Sequence, residues 1–403
     1  MIDARLTLDS LSITYAEPLL TDVFSEMNGY ISGDIIAEGP LNMLEINSQG
    51  TRLDNAELKV AFTNVPYFAD GLFHIDDTGV YFDDINIRDR YTGTGTVKGS
   101  INWNRFKDIT FNTDIRINSI EGIDITEDIN QGFYGNIFGT GNVAIKGPVH
   151  ALTLDINAIT AKTGQLHIPM SGAATSRGST NLLKFKRPEM EVYIDPYEAM
   201  IARLSHKEEG RSNLLVKLNV EASPNVEAFV EIDKASGNVL SGQGNGRIEL
   251  DIAEDHFNIN GDYTLTGGKY TFSALGLVNR EFDITDGSSI HFNGDIMASI
   301  LDIDAAYVTK ASLATLLADE NSVANRRNVE CGISITDKLS NPKLEFSIEI
   351  PDLNPMVKSR VESALSTEDK VQKQFLSLLL SNSFLPDEQS GIANNSSMLY
   401  SNV

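Results

Sequence analysis

Few residues of this chain combine a reactive type with a useful spacing. Carboxylate pairs stand at Asp76/Asp77, Asp83/Asp84 and Asp302/Asp304. Such pairs can hold a divalent cation or divide acid and base roles in catalysis. Asp302 and Asp304 lie two apart, so a strand would place both on one face, but a solvated outer face asks for the same residues. His74, His150, His167, His206, His256 and His291 show no ligand spacing. The single cysteine, Cys331, excludes an intramolecular disulfide and a Cys-based zinc site. The run GQGNG (242–246) lacks the Lys-Ser/Thr of a phosphate loop and no helix pattern follows, so it reads as a strand-connecting turn. GSTNLL carries a serine without a nucleophile elbow. No catalytic residue, metal site or cofactor is expected.

The feature that does recur is an apolar row. Between Gly261 and Tyr307, Tyr263 and Leu265, Tyr270 and Phe272, Phe282 and Ile284, Ile290 and Phe292, and Leu301, Ile303 and Ala305 stand at every second residue. Period two puts apolar and polar side chains on opposite faces of a strand. Gly267-Gly268, Asp286-Gly287 and Asn293-Gly294 read as turns between such strands. Upstream, the same alternation places Phe111, Ile115, Ile145, Leu154 and Ile252 on the apolar side. Two readings stay open. The row either packs into a dry β core or lines an open groove for acyl chains. Burial is worth about 0.8 kcal/mol per methylene, so a chain of ~15 methylenes loses on the order of 12 kcal/mol on entering water, and a lipid crossing an aqueous gap needs a continuous apolar wall.

Elements to position that row are legible along the chain. Gly33–Leu41 is echoed by Gly141–Val149, with a Gly-Pro in register, and Gly95–Ile101 is a looser copy; each reads as strand, tight turn, strand. Further strands are expected at Val80–Ile87, Ile109–Ile117, Gly122–Ile125, Val143–Ile145, Leu214–Val220, Val226–Ile232, Asn328–Thr336 and Lys343–Ile350. Short helices are expected around Pro18–Met27, Pro196–Leu204 and 311–320. Pro351 and Pro355 stop the sheet, and helical period takes over at Met356–Leu365 and Thr367–Leu380, with Ser366 and Asp369 as a capping pair. The expected organisation is a repetitive β segment (1–170), a loop-rich boundary (171–213), a second β segment (214–352), and a helical tail (353–403). The class is all-β with short helices near the C-terminus.

Composition narrows the partners. With 403 residues and 32 Lys+Arg against 56 Asp+Glu, the net charge is −24. That sign disfavours nucleic acid and an anionic membrane surface. No apolar run reaches the roughly 18–20 residues of a membrane-spanning helix. Met1 opens directly on strand alternation, and the end SSMLYSNV lacks a cap, so the chain reads as a segment of something longer.

The stretch from Ser241 through Leu380 resembles the C-terminal domain of the TamB family, relatives of the AsmA-like proteins. The resemblance rests on GDYTLTGGKYTF, the pattern from Phe282 to Asp295, LDIDAAY (Leu301 to Tyr307), SNPKLEFSIEIPD (Ser340 to Asp352) and the helical STEDKVQKQFLSLLLSNSFLP. It implies an elongated folded-over β-sheet groove, taco-like in section and solenoid-like in build, with an apolar inner face, and a periplasmic segment of an inner-membrane-anchored protein whose anchor lies outside this stretch. It implies phospholipid acyl chains as cargo and a TamA-like outer-membrane barrel as partner, or else a chaperone-like part in assembling outer-membrane β-barrels. It implies no catalysis and no cofactor. The chain departs from the family pattern in carrying no N-terminal anchor and in ending soon after the helix that contains Leu376–Leu380.

Overall fold

Alternation at period two lets a strand bury one face while its backbone pairs with neighbours on both sides, and this chain repeats that solution almost throughout. The computed structural model describes residues 2–21, 23–40, 45–104, 107–130, 132–169, 214–233, 237–253, 257–274, 278–317 and 326–386. The expected loop at 171–213 and the expected helix at Pro196–Leu204 lie outside them. The chain is all-β with short helices, as the alternation predicts.

It divides into two compact units. The first takes its residues from Met1–Ile168, Gly172–Ala228 and Asn245–Gly261; the second from Pro169–Ser171, Phe229–Gly244 and Asp262–Val403. Strands β1 (Ile2–Ser12), β2 (Phe24–Gly39), β3 (Glu45–Val60), β4 (Pro66–Leu72), β5 (His74–Ile75), β6 (Gly79–Arg88), β7 (Thr94–Asn104), β8 (Lys107–Ile125), β9 (Tyr134–Pro148) and β10 (Thr153–Thr160) form an antiparallel meander, β5 being a short arm on β6. β11 (Gly164–Pro169) pairs with the first residues of β9, beside the stretch that pairs with β10. β12 (Leu215–Ala222) then joins β10 in parallel. β13 spans Val226–Asp233, and the second half of β14 (Asn238–Ile252) returns antiparallel on β12.

In the second unit β15 (Phe257–Ala274) pairs with β16 (Val278–Ile284), and β16 and β17 (Ser289–Gly294) both pair with β18 (Ile300–Ser312). β19 (Arg326–Lys338) and β20 (Lys343–Glu349) complete it. Helices α1 (Glu17–Leu20), α2 (Leu313–Leu317), α3 (Pro355–Ala364) and α4 (Glu368–Ser381) are short.

Several local expectations are corrected by tertiary context. The helix expected around Pro18–Met27 is only the 3-10 turn Ile13–Ala16 and α1; Phe24 already opens β2. Met27 is buried with Ile13, Ala56, Ala69 and Ile85, so sheet packing overrides the local preference. Gly267-Gly268 is no turn: β15 runs straight through it. A Cβ on Gly268, at φ +156°, would lie 2.2 Å from the Ser241 carbonyl oxygen, so the glycine admits the neighbouring backbone. GQGNG sits inside β14 for a related reason, since a Cβ on Gly242 would strike the Leu265 side chain and one on Gly244 the Thr264 carbonyl oxygen. Gly95–Ile101 is likewise uninterrupted within β7, with Gly99 opposite Thr113. Asp286-Gly287 and Asn293-Gly294 do end strands, with positive φ at both glycines. Pro355 opens α3 behind an Asn354 cap. The cap of α4 is Thr367 rather than Ser366: Thr367 has an extended backbone, and Lys370 N donates to its Oγ1 at 3.3 Å.

Candidate functional site

Strand register converts the alternating residues of the first unit into a cross-strand ladder. Ile85 faces Val97, Val97 faces Ile115, and Ile115 faces Val143. Val143 faces Ile156, Ile156 lies beside Leu218, and Leu218 faces Leu250. Seven strands thus present one apolar residue each in a single line. Directly opposed residues share a face. Parallel to that line and on the same side of it run two further rows, Ile145, Leu154, Val216 and Ile252 nearer to it and Ile101, Phe111 and Gly147 farther out. Of the seven, only Ile85 is buried; the rest are half-buried.

The residues singled out in the sequence separate by unit. In the first, Phe111 and Ile252 are buried, while Ile115, Ile145 and Leu154 are half-buried. In the second, Tyr263, Leu265, Tyr270, Phe282, Ile284, Ile290, Leu301 and Ile303 are buried, and Phe272 and Phe292 are half-buried. Sequence reasoning left out Ile85, Val97, Val143, Ile156, Leu218 and Leu250. Their alternation was visible, but register, which aligns them, is set across strands far apart in the chain.

A polar brace interrupts the apolar face where β8 bulges after Ile117. Arg90 Nε and Nη2 donate to the Glu121 carboxylate at 3.0 and 2.9 Å, and Arg90 Nη2 also meets Asp124 Oδ2 at 2.6 Å. Glu121 N donates to Asp89 Oδ2, and Tyr67 OH to the Glu121 carbonyl. Glu121 is fully buried; burial pushes its carboxyl upward while Arg90 pulls against that. A buried charge so thoroughly paired fixes the bulge geometry.

In the second unit a helix closes the apolar face. Phe375, Leu378 and Leu379 of α4 are fully buried. Phe375 stacks on Phe282 at 6.0 Å and lies 4.5 Å from Phe346, with centroids as reference; Phe272 and Tyr307 complete the ring cluster around Phe282. Burial pushes the Tyr263 hydroxyl up to about 12.

The chemically suggestive groups have structural places. Asp302 and Asp304 are exposed on the outer face of β18, Asp83 and Asp84 are exposed, and Asp76 accepts from Thr78 N and Gly79 N in a turn. Burial, reinforced by Glu330, pushes the Cys331 thiol up to about 12, which withholds its thiolate. His291 pairs with Asp262 at 2.7 Å on the surface. Among the described residues no group of three or more His, Cys, Asp or Glu could hold a metal ion, and no helix is long and apolar enough to cross a membrane.

No curated protein matches the chain. A family model described as the TamB C-terminal domain matches residues 83–402, from the middle of β6 past α4, and so takes in both the ladder from Ile85 onward and the helix-capped cluster. By that match, over most of its length, the chain belongs to the TamB C-terminal domain family.

Proposed function

We propose that the ladder of the first unit is a groove for phospholipid acyl chains, in a periplasmic segment of the translocation and assembly module that works with a TamA-type outer-membrane barrel. The observation that supports this reading is the line from Ile85 to Leu250, apolar in every strand yet half-buried in six of seven. At ~4.8 Å per strand the line is roughly 29 Å long. That compares with about 30 Å for the hydrocarbon core of a bilayer, which holds two chains end to end, so one acyl chain can lie along it. Phe111, Ile115, Ile145, Leu154 and Ile252 are groove-lining residues in this reading. The exposed carboxylates of the outer face keep the wall soluble. Transport here is by partition, with no bond made or broken.

The test is native mass spectrometry of the chain purified without detergent. Co-purifying phospholipid, lost in an Ile115→Asp variant with an unchanged melting midpoint, supports the groove. A folded, lipid-free protein that takes up no labelled phospholipid overturns it. A second reading, a chaperone-like factor for outer-membrane β-barrels, draws support from β20, which among the described residues pairs with β19 alone. An edge of that kind can accept an incoming strand. A stable complex with an unfolded barrel peptide, lost when Ser347 is changed to proline, would favour it.

A further inference from the structure

Arg280 is out of place. In β16 it stands two residues from Phe282 and opposite Phe272, so it belongs to the apolar face of the second unit. A cation in an apolar row breaks the binary pattern and asks for a reason. The half-buried guanidinium lies 5.6 Å from the Tyr307 ring, and its Nε donates at 2.8 Å to the Leu379 carbonyl in the last turn of α4. A second arginine, Arg326, donates to the Asn382 carbonyl at 3.2 Å. Two cations therefore hold the electronegative C-terminal end of a helix, while Phe375 of the same helix fills the aromatic cluster behind them.

The helix also carries its own polar satisfaction. Gln374 exchanges hydrogen bonds with Leu385, and Ser377 donates to the Ser383 carbonyl. Those groups stay paired if α4 and the turn after it lift off together. The bonds to the sheet gather at one end, from Arg280, Arg326, Thr309 and Tyr307 to Leu379 and Asn382.

We infer that α4 is a resident plug in a second lipid site, one that takes an anionic amphiphile with its head group on Arg280 and Arg326 and its chain against Phe272, Phe282 and Phe346. Helix and ligand compete: helix carbonyls and Phe375 stand where an anionic oxygen and an acyl chain would. This rests on the reading of the chain as a lipid carrier and adds to it a gated site with head-group selectivity.

The experiment uses the full chain with a spin label at Leu380→Cys, a partly exposed helix position, and reads label mobility on titration with phosphatidylglycerol vesicles, oleate or dodecyl maltoside. Mobilisation by phosphatidylglycerol and not by the uncharged maltoside is expected. A response to oleate as well extends the site to any anionic head group, and its absence restricts it to phosphodiesters; both support the plug. Arg280→Gln removes a bond of the seated helix as well as a head-group contact, so label mobility without lipid should rise, and the excess of the phosphatidylglycerol response over the maltoside response should fall about tenfold, with partial rescue of both by Arg280→Lys. A label that stays immobile at saturating lipid, or moves equally with maltoside, overturns the inference. Benzophenone side chains at Ile115 and at Phe346 separate the two readings. Lipid captured at Ile115 alone refutes the plug and keeps the groove; capture at neither position refutes both.

Discussion

Ile115 and Phe282 both stand at alternate positions of antiparallel strands, flanked by polar neighbours that face the other way. Ile115 is half-buried in a line of residues like itself, whereas Phe282 is fully buried under Phe375. The strands are alike; the difference is the helix. In the second unit α4 lays an apolar face on the sheet, and among the described residues of the first unit α1, four residues long, packs against the small cluster around Ile13 and Met27. Among the described residues, one pattern therefore yields a fully buried cluster where a helix lies on the strands and a half-buried apolar row in the other unit. The Arg90–Glu121 brace belongs to the same contrast, since it holds the β8 bulge of the first unit with paired charges where the second unit packs rings.

The sharpest way to break that contrast is to put the same charge in both units. Leu265→Asp, in the closed unit, should cost about 4–5 kcal/mol, because a buried carboxylate there finds no partner. Ile115→Asp should fold, since its carboxylate reaches water. Thermal melts of both variants decide, and equal losses would mean that the wall is as dry as the core.

Truncation gives a graded version. Phe282→Ala removes the ring at the centre of the cluster and should cost about 3–5 kcal/mol, against about 1 kcal/mol for Ile115→Ala at its half-buried site. Urea unfolding measures both.

Removing the brace tests what holds the first unit. Arg90→Gln leaves Glu121 buried and undercompensated; with Arg90 38% exposed in the native protein, about 2 kcal/mol is expected. Because burial already pushes the Glu121 carboxyl up, the loss should shrink as acid protonates it and grow toward neutral pH. A loss that does not vary with pH would mean that the pair contributes through packing alone.

The smallest effect concerns the exposed polar face. The Arg5 guanidinium first, then the Thr7 hydroxyl, hold Asp34 below the ordinary carboxylate range. A group depressed in this way contributes stability above its unfolded pKa of about 3.9, and that contribution is lost as pH falls through the folded value. Carbon-detected NMR titration of Asp34 should place its midpoint below that value and move it upward in Arg5→Gln.

How much of this could be read beforehand depends on the range of the interactions involved. Alternation at Tyr263/Leu265, at Phe282/Ile284 and at Leu301/Ile303 was enough to identify strands and their apolar faces, because side-chain direction in a strand is local. The helices at 356–365 and 367–380 were legible for the same reason, to within a residue at the cap. The glycines misled: Gly267-Gly268 and GQGNG have turn composition but serve close approach between strands, which depends on the neighbour and not on the segment. Arg280 could have been flagged as a charge in an apolar row, but its partner carbonyl lies 99 residues on.

By itself the sequence determined strand character, the apolar face, the acidic exterior and the family, since period two, composition and motif order are properties of the chain read along its length. Only the tertiary structure decided which part of that apolar face is fully buried and which is half-buried. That division depends on cross-strand register and on where α4 docks, and both are long-range contacts that no local pattern encodes.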